Sequence, residues 1–288
     1  MKRFGLLALS FLALQALAET PRRLITVGGH VSETVCALGA CERIVATDSS
    51  SLYPARLTKL PQVGYARALN AEGLLAQKAD VIITTTSAGP DSVLERVKST
   101  GISLQKVDGG ITVDAAKARI MALGGILNKK AEADGLVTEL QTDLLTLQDQ
   151  RLKITAPQKI LFIYARGSKV LQVAGRNTAA ATMIELAGGI NAFSGFSDYR
   201  ALTPESVVAA APHVILMTQD GLDSLGGPDA VWSLPGLAMT PAFRKKRLVV
   251  MNDLFLLGMG PRLGKAALSL MNELYAGDGN RIAPLSRK

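Results

Sequence analysis

The sequence predicts an α/β protein of two similar lobes joined by one long helix, and three observations predict it. Short apolar strands alternate with helices on both sides of the chain's middle, the pattern of mainly parallel sheets covered by helices. In "NKKAEADGLVTELQTDLLTLQDQRLK", the residues Ala133, Leu136, Val137, Leu140, Leu144 and Leu147 recur at steps of three and four, which puts them on one face of a continuous helix. At about 1.5 Å per residue, roughly 24 such residues reach about 36 Å, enough to cross from one lobe to another. Third, "LNAEGLLAQKADVIITT" lies over "LTPESVVAAAPHVILMT" at a constant offset of 133 residues, with Leu69/Leu202, Glu72/Glu205, Val81/Val214, Ile82/Ile215 and Thr85/Thr218 coinciding. Any two helix–strand units share apolar periodicity, but the repeated Leu-x-x-Glu opening is more than periodicity requires. A cleft between the lobes follows.

The elements read as follows. "MKRFGLLALSFLALQALAET" has a basic start, an apolar run of about 15 residues and an Ala-x-Ala site, so residues 1–18 read as a secretory signal cleaved after Ala18. The run is shorter than the roughly 18 residues that a membrane span needs. The residue directly after the cleavage site is Glu19 and not a cysteine, so a lipid anchor is not expected. Residues 19–127 form the first lobe: strand "RLITVGG", helix "SETVCALGA", strand "RIVATD", helix "NAEGLLAQK", strand "DVIITTT", helix "PDSVLERVKST", strand "SLQKVD" and helix "TVDAAKARIMALGGIL". Residues 128–153 are the connecting helix, ended by Pro157 beyond it. Residues 154–288 restart the alternation with "KILFIYA", "TAAATMIELAGG", "PESVVAAAP", "HVILMT", "RLVVMN" and a last helix near "RLGKAALSLMNELYAG".

Composition narrows the function. The 288 residues are 48% hydrophobic and 19% charged, a globular balance. Without Lys2 and Arg3, 30 basic side chains face 24 acidic ones. That excess suits an anionic ligand but is too diffuse for nucleic acid, and no basic run is interleaved with aromatics. Two histidines cannot build a nitrogen-rich zinc or manganese site. There is no G-x-S-x-G, GxxxxGK[ST] or H-E-x-x-H, and "GMGPRLG" lacks the acidic residue that a dinucleotide fingerprint requires, so an enzyme is not expected. Cys36 and Cys41 could form a disulfide if Gly39 ends the helix and folds the chain back; two small buried thiols is the other reading.

An exported two-lobed chain with one connecting helix resembles the substrate-binding component of an ABC importer. The phrases "LPQVGYARALNAEGLLAQKADVI", "VAGRNTAAATMIELAGGINAFSGFSDYRALTPESVVAAAPHVIL" and "LLGMGPRLGKAALSL" are similar to the periplasmic haem-binding proteins of the helical-backbone class, class III. That resemblance implies two Rossmann-like lobes and a carrier that takes ferric haem b as cargo in the cleft. It implies a monomer that meets a homodimeric ABC permease with its ATPase subunits, downstream of an outer-membrane haem receptor. A ferric-siderophore or cobalamin binder of the same class is the alternative.

The resemblance gives "GYAR" a role. Tyr65 would be the axial iron ligand, and Arg67 would hydrogen-bond its oxygen. The chemistry agrees, because ferric iron favours an anionic oxygen and a guanidinium favours the phenolate. Some relatives offer a histidine near the segment that reads "IYARGSKVLQVAG" here; this chain has Arg166 and Lys169 there, so Tyr65 alone is the expected ligand. Arg176, Arg200, Arg166 and Lys169 are candidates for the propionates, with Arg200 at the pseudo-repeat position of Arg67 and so expected to face the cleft. Tyr199 and Met259 are candidates for the porphyrin face. His30, between a strand and a helix, either lines the cleft or is a polar loop residue. His213 reads as structural. Glu72 and Glu205 open equivalent helices and are expected to meet arginines of the permease.

Overall fold

The computed structural model describes residues 23–275, so the expected signal peptide lies outside the described residues. The first lobe holds β1 (Leu24–Thr26), α1 (Gly29–Ala37), β2 (Ile44–Thr47), a hairpin of β3 (Gly64–Tyr65) and β4 (Ala68–Leu69), α2 (Ala71–Leu75), β5 (Val81–Thr85), α3 (Asp91–Lys98), β6 (Ser103–Val107) and α4 (Val113–Leu127). Its sheet is wholly parallel, in the order β2-β1-β5-β6. After α5 (Lys130–Arg151), the second lobe holds β7 (Lys159–Arg166), β8 (Val170–Ala174), α6 (Ala179–Leu186), β9 (Ile190–Asn191), β10 (Tyr199–Ala201), α7 (Pro204–Ala210) and β11 (Val214–Thr218). Then come α8 (Gln219–Leu225), α9 (Pro228–Trp232), α10 (Pro241–Arg244), β12 (Leu248–Met251), α11 (Asp253–Leu257) and α12 (Leu263–Tyr275).

The second sheet runs β10-β8-β7-β11-β12, with β9 also on β7. The strands β9, β7, β11 and β12 are parallel, whereas β8 and β10 are antiparallel to their neighbours. The departure from an all-parallel lobe has a local cause. Only Gly167, Ser168 and Lys169 separate β7 from β8, and Gly167 adopts φ 62°. So short a link can make a hairpin but not the crossover that a parallel neighbour needs.

The internal repeat is geometric as well as sequential. β5 and β11 occupy equivalent positions 133 residues apart, and the helices before them start alike. Asn70 caps α2 by accepting from the Gly73 N–H, and Thr203 caps α7 by accepting from the Ser206 N–H.

The central strands β5 and β11 are buried at every position, because both faces of their sheets are covered, and they read as near-continuous apolar runs rather than alternating ones. Ile25, Ile82 and Leu94 pack one side of the first sheet, and Leu161, Ile215 and Val231 one side of the second. The other sides share one continuous core with α5, reaching from Leu24 and Ile83 through Leu140 and Leu147 to Phe162 and Leu270. In α5, Ala133, Leu140 and Leu147 are buried, while Leu136, Val137 and Leu144 pack partly buried against the same core. Its 22 residues span about 33 Å. The helix packs on α4 from one lobe and α12 from the other. Two glycines let it come close: a Cβ at Gly124 would stand 2.4 Å from Ala133 Cβ, and one at Gly264 would stand 2.4 Å from Asp143 Cβ.

Cys36 and Cys41 form a disulfide. The helix α1 ends at Ala37 and Gly39 takes φ 75°, which turns the chain back over itself.

Candidate functional site

The C-terminal edges of the two sheets face one another. Gly29, just beyond β1, approaches Leu254, just beyond β12, so closely that a Cβ would lie 2.6 Å from Leu254 Cδ1. Tyr53, beyond β2, stacks under the Arg262 guanidinium at 3.7 Å. In open α/β sheets this edge is where ligands bind.

A buried polar network shapes the first lobe's edge. Asp48 accepts from the Gly28 N–H (2.8 Å), from the N–H and hydroxyl of Ser50 (3.1 and 2.6 Å) and from the Ser51 hydroxyl (2.7 Å). These bonds fix the turn after β2. The hairpin carrying Tyr65 hangs from it: the Val63 N–H donates to Thr47 and the Ser49 N–H to Gly64. On the far side the Gly89 N–H donates to Ala66 and the Leu69 N–H to Gly89. Val63 and Leu69 are buried and anchor the two ends. Gly64 takes φ 104°, which a side chain would resist.

The result is a rigid mount for an accessible phenol. Tyr65 is 51% exposed, and Arg67 follows in the exposed tip of the hairpin. Neither side chain has a hydrogen-bond or ion-pair partner among the described residues, and the structure contains no Arg67–Tyr65 bond.

The second lobe's edge is aromatic and cationic. Tyr164 and Arg166 close β7, and the Arg166 Nε donates to the Tyr164 hydroxyl at 2.9 Å. Tyr199 packs its ring against Tyr164 and Phe162, with centroids 6.0 and 6.5 Å apart. Burial, and secondarily the neighbouring Tyr164, push Tyr199 up to about 12, which keeps it a neutral phenol. Arg200 does not share that face. Successive strand residues point to opposite sides, and its guanidinium lies 4.5 Å over the Phe196 ring instead. Lys169 lies exposed in the β7–β8 turn, and Arg176 is exposed two residues before the Thr178 cap of α6.

Two more expectations are corrected, beyond the orientation of Arg200. Met259 is only 3% exposed and belongs to the shared core; its contribution to the surroundings is its carbonyl, which accepts from Arg119 at 2.5 Å. Its side chain is therefore not on an open cleft wall. His30 is neither a loop residue nor a source of positive charge. It is the second residue of α1, its Nε2 is buried without a partner, and burial together with the nearby Arg119 lowers it to about 3. It is neutral. His213 pairs with Lys159 through backbone and ring, at the N-terminal end of β11 and so on the edge away from the cleft.

The sequence patterns do not mark the residues that join the lobes. Arg119 in α4 is 1% exposed and bonds the carbonyls of Asp108 and Gly110 in its own lobe as well as Met259 in the other. Burial lowers it to about 10, so it still carries its charge. Glu33 in α1 is 3% exposed and pairs with Arg262, 229 residues away, while burial pushes its carboxyl up against the opposing pull of Arg262. Tyr164 does have a signal, since Tyr-Ala-Arg occurs at residues 65–67 and again at 164–166.

Glu72 and Glu205 are the second residues of α2 and α7, each exposed and without an ion pair among the described residues. The two acids thus stand at equivalent places on the two lobes.

Two lobes whose sheet edges face a common cleft, carried on one rigid helix, define a solute-binding protein rather than a folded catalyst. The chain belongs to the periplasmic binding protein family, whose model matches residues 24–254. Among solved structures it is similar to the periplasmic heme-binding protein RhuT from Roseiflexus sp. RS-1 in apo form. Identity is 39%, the TM-score is 0.86, and the match covers 88% of this chain and 98% of that one. It is similar also to the periplasmic heme-binding protein BhuT in complex with two hemes, at 36% identity and TM-score 0.83, over 88% and 97% of the two chains. Among curated proteins, the vitamin B12-binding protein of Pectobacterium atrosepticum is 26% identical over 273 residues, 93% of this chain and 92% of that one.

Proposed function

We propose that this protein is a non-catalytic carrier that takes ferric haem into the interlobe cleft and hands it to an inner-membrane ABC permease. The observation that carries the reading is Tyr65: an accessible phenol with no internal partner, rigidly mounted at the crevice edge and followed by Arg67. Phenolate is an established ligand of haem iron, and the adjacent guanidinium favours the anion. The likeness to heme-binding proteins at 36–39% identity supports the same cargo.

In this reading Tyr65 is the axial ligand and Arg67 swings to its oxygen once iron is bound. Arg176 and Lys169 supply cations for the propionates, while Tyr199 is a neutral aromatic wall. Glu72 and Glu205 meet basic residues of the permease, one acid per lobe suiting a symmetric transporter. The chain works in the periplasm after cleavage behind Ala18, and an outer-membrane receptor stands upstream.

The test is a hemin titration followed at the Soret band, with Tyr65→Phe beside the wild type. Wild type is expected to shift the band and the variant to bind at least about tenfold more weakly, a loss of about 1.4 kcal/mol. The vitamin B12-binding relatives favour a second reading, cobalamin carriage. Calorimetric binding of cobalamin with no Soret shift on hemin would select it.

A further inference from the structure

We propose that Asp48 is a positioning residue for the iron ligand, and that its turn, residues 48–53, ties the Tyr65 hairpin to the contact between the lobes, so that parting the lobes weakens the hold on the cargo. The proposal rests on the haem reading of the cleft and adds to it the element that passes lobe movement to the ligand.

The turn is fastened from within. Asp48, the residue after β2, is fully buried and has no ion pair among the described residues. A buried carboxylate persists only where donors surround it. Both oxygens here are filled, one by the Gly28 N–H and the Ser51 hydroxyl, the other by the N–H and hydroxyl of Ser50. The same hydroxyls reach further. Ser50 Oγ accepts from the Gly29 N–H at 2.9 Å, and Ser51 Oγ lies 2.6 Å from the hydroxyl of Ser32, which donates to Thr26 at the end of β1. The turn, the end of β1 and the start of α1 therefore move as one polar body.

Two sets of contacts leave that body. Toward the ligand, the Ser49 N–H donates to the Gly64 carbonyl at 2.9 Å, one residue before Tyr65, and Thr47 exchanges backbone bonds with Pro61 and Val63. Toward the second lobe, Tyr53 lies under the Arg262 guanidinium, which also stands 4.9 Å from the Phe255 ring and bonds Glu33 of α1. Beside it, a Cβ on Gly29 would meet Ser50 O at 2.4 Å and Leu254 Cδ1 at 2.6 Å, so the turn, the helix start and the second lobe meet where no side chain fits. The hairpin itself makes no hydrogen bond or ion pair to the second lobe among the described residues. Lobe movement therefore reaches Tyr65 by way of Tyr53 and Ser49. When the lobes part, Arg262 draws off the Tyr53 ring, the turn loses its outer support, and Gly64 carries the phenol away from iron. The electron pair of the iron–oxygen bond stays on the oxygen, and a solvent proton restores the phenol. A permease gripping Glu72 and Glu205, one on each lobe, supplies such a pull.

The experiment follows transfer of hemin from the loaded full chain to excess apomyoglobin, together with the position of the tyrosinate charge-transfer band. Tyr53→Leu changes a half-exposed ring outside the hairpin, and Ser50→Ala removes one of the bonds to Asp48. Each is expected to speed transfer about tenfold and to shift the band. Asp48→Asn is expected to do the same, and the two milder variants serve if it does not fold. In a Tyr65→Phe background, Tyr53→Leu is expected to add nothing, because the bond it loosens is already gone. Equal acceleration in both backgrounds, or a band that stays in place in Tyr53→Leu and Ser50→Ala, overturns this inference and leaves the haem reading standing, since Tyr53 would then only line the cleft. If Tyr65→Phe retains no haem, the band decides alone. No uptake by wild type removes the haem reading and this inference with it.

Discussion

Lowering the pH should loosen the contact between the lobes through His30. Its ring nitrogen is buried without a partner beside Arg119, which lowers it from its ordinary 6.5 to about 3. The unfolded chain takes up this proton below about pH 6.5, whereas the folded chain refuses it until about pH 3, so folding stability falls as pH falls between those values. At about pH 5 the unfolded histidine is 1.5 units past its midpoint, and at about 1.4 kcal/mol per unit the loss is roughly 2 kcal/mol. For a protein of this size that is a drop of about 4–8 °C in Tm relative to about pH 7.5. Glu33 works in the opposite direction, because a raised carboxyl gains stability as pH falls through its titration. The measurement is therefore a difference: Tm against pH for wild type and for His30→Leu, which cannot titrate. The wild-type Tm should fall by about 4–8 °C relative to the variant's on going from about pH 7.5 to pH 5. Parallel curves would refute the reasoning, for they would mean that His30 accepts its proton in the folded state as easily as in the unfolded one.

Four further outcomes are expected. Arg119→Met leaves the carbonyls of Asp108 and Met259 without their charged donor and should cost about 3–5 kcal/mol, read as a Tm lowered by about 6–20 °C in calorimetry; a shift under about 2 °C would contradict the buried bonds. Reducing the Cys36–Cys41 disulfide releases a loop of only a few residues and should lower denaturant stability by about 2 kcal/mol. Gly64→Ala forces a side chain into φ 104°, with Ala68 O only 3.2 Å from the new Cβ, and should cost about 1–2 kcal/mol while weakening hemin uptake by disturbing the Tyr65 mount. Reversing both Glu72 and Glu205 to lysine should leave hemin binding unchanged and abolish stimulation of the permease ATPase in liposomes; unaltered stimulation would exclude these acids from docking.

Local chemistry wrote much of this protein into its sequence. The strand–helix alternation, the connecting helix and the two related halves are all periodic signals, and periodicity survives in one dimension because each element buries its own apolar face. The offset of 133 residues holds in space down to the capping residues Asn70 and Thr203, since caps are set by neighbours three residues away. Tyr65 and Arg67 were marked by residue type and by a glycine that needs positive φ. Where His30 points, what Met259 contributes and which face Arg200 takes depended on packing partners far along the chain. Arg119 meets Met259 across 140 residues, and Glu33 meets Arg262 across 229. No periodicity encodes such pairs, because each is fixed only when two sheets have folded and turned their edges together. Arg166 and Tyr164 lie between these cases: the tripeptide is legible, but the strand pleat and the hairpin at Gly167 decided that the guanidinium reaches the phenol.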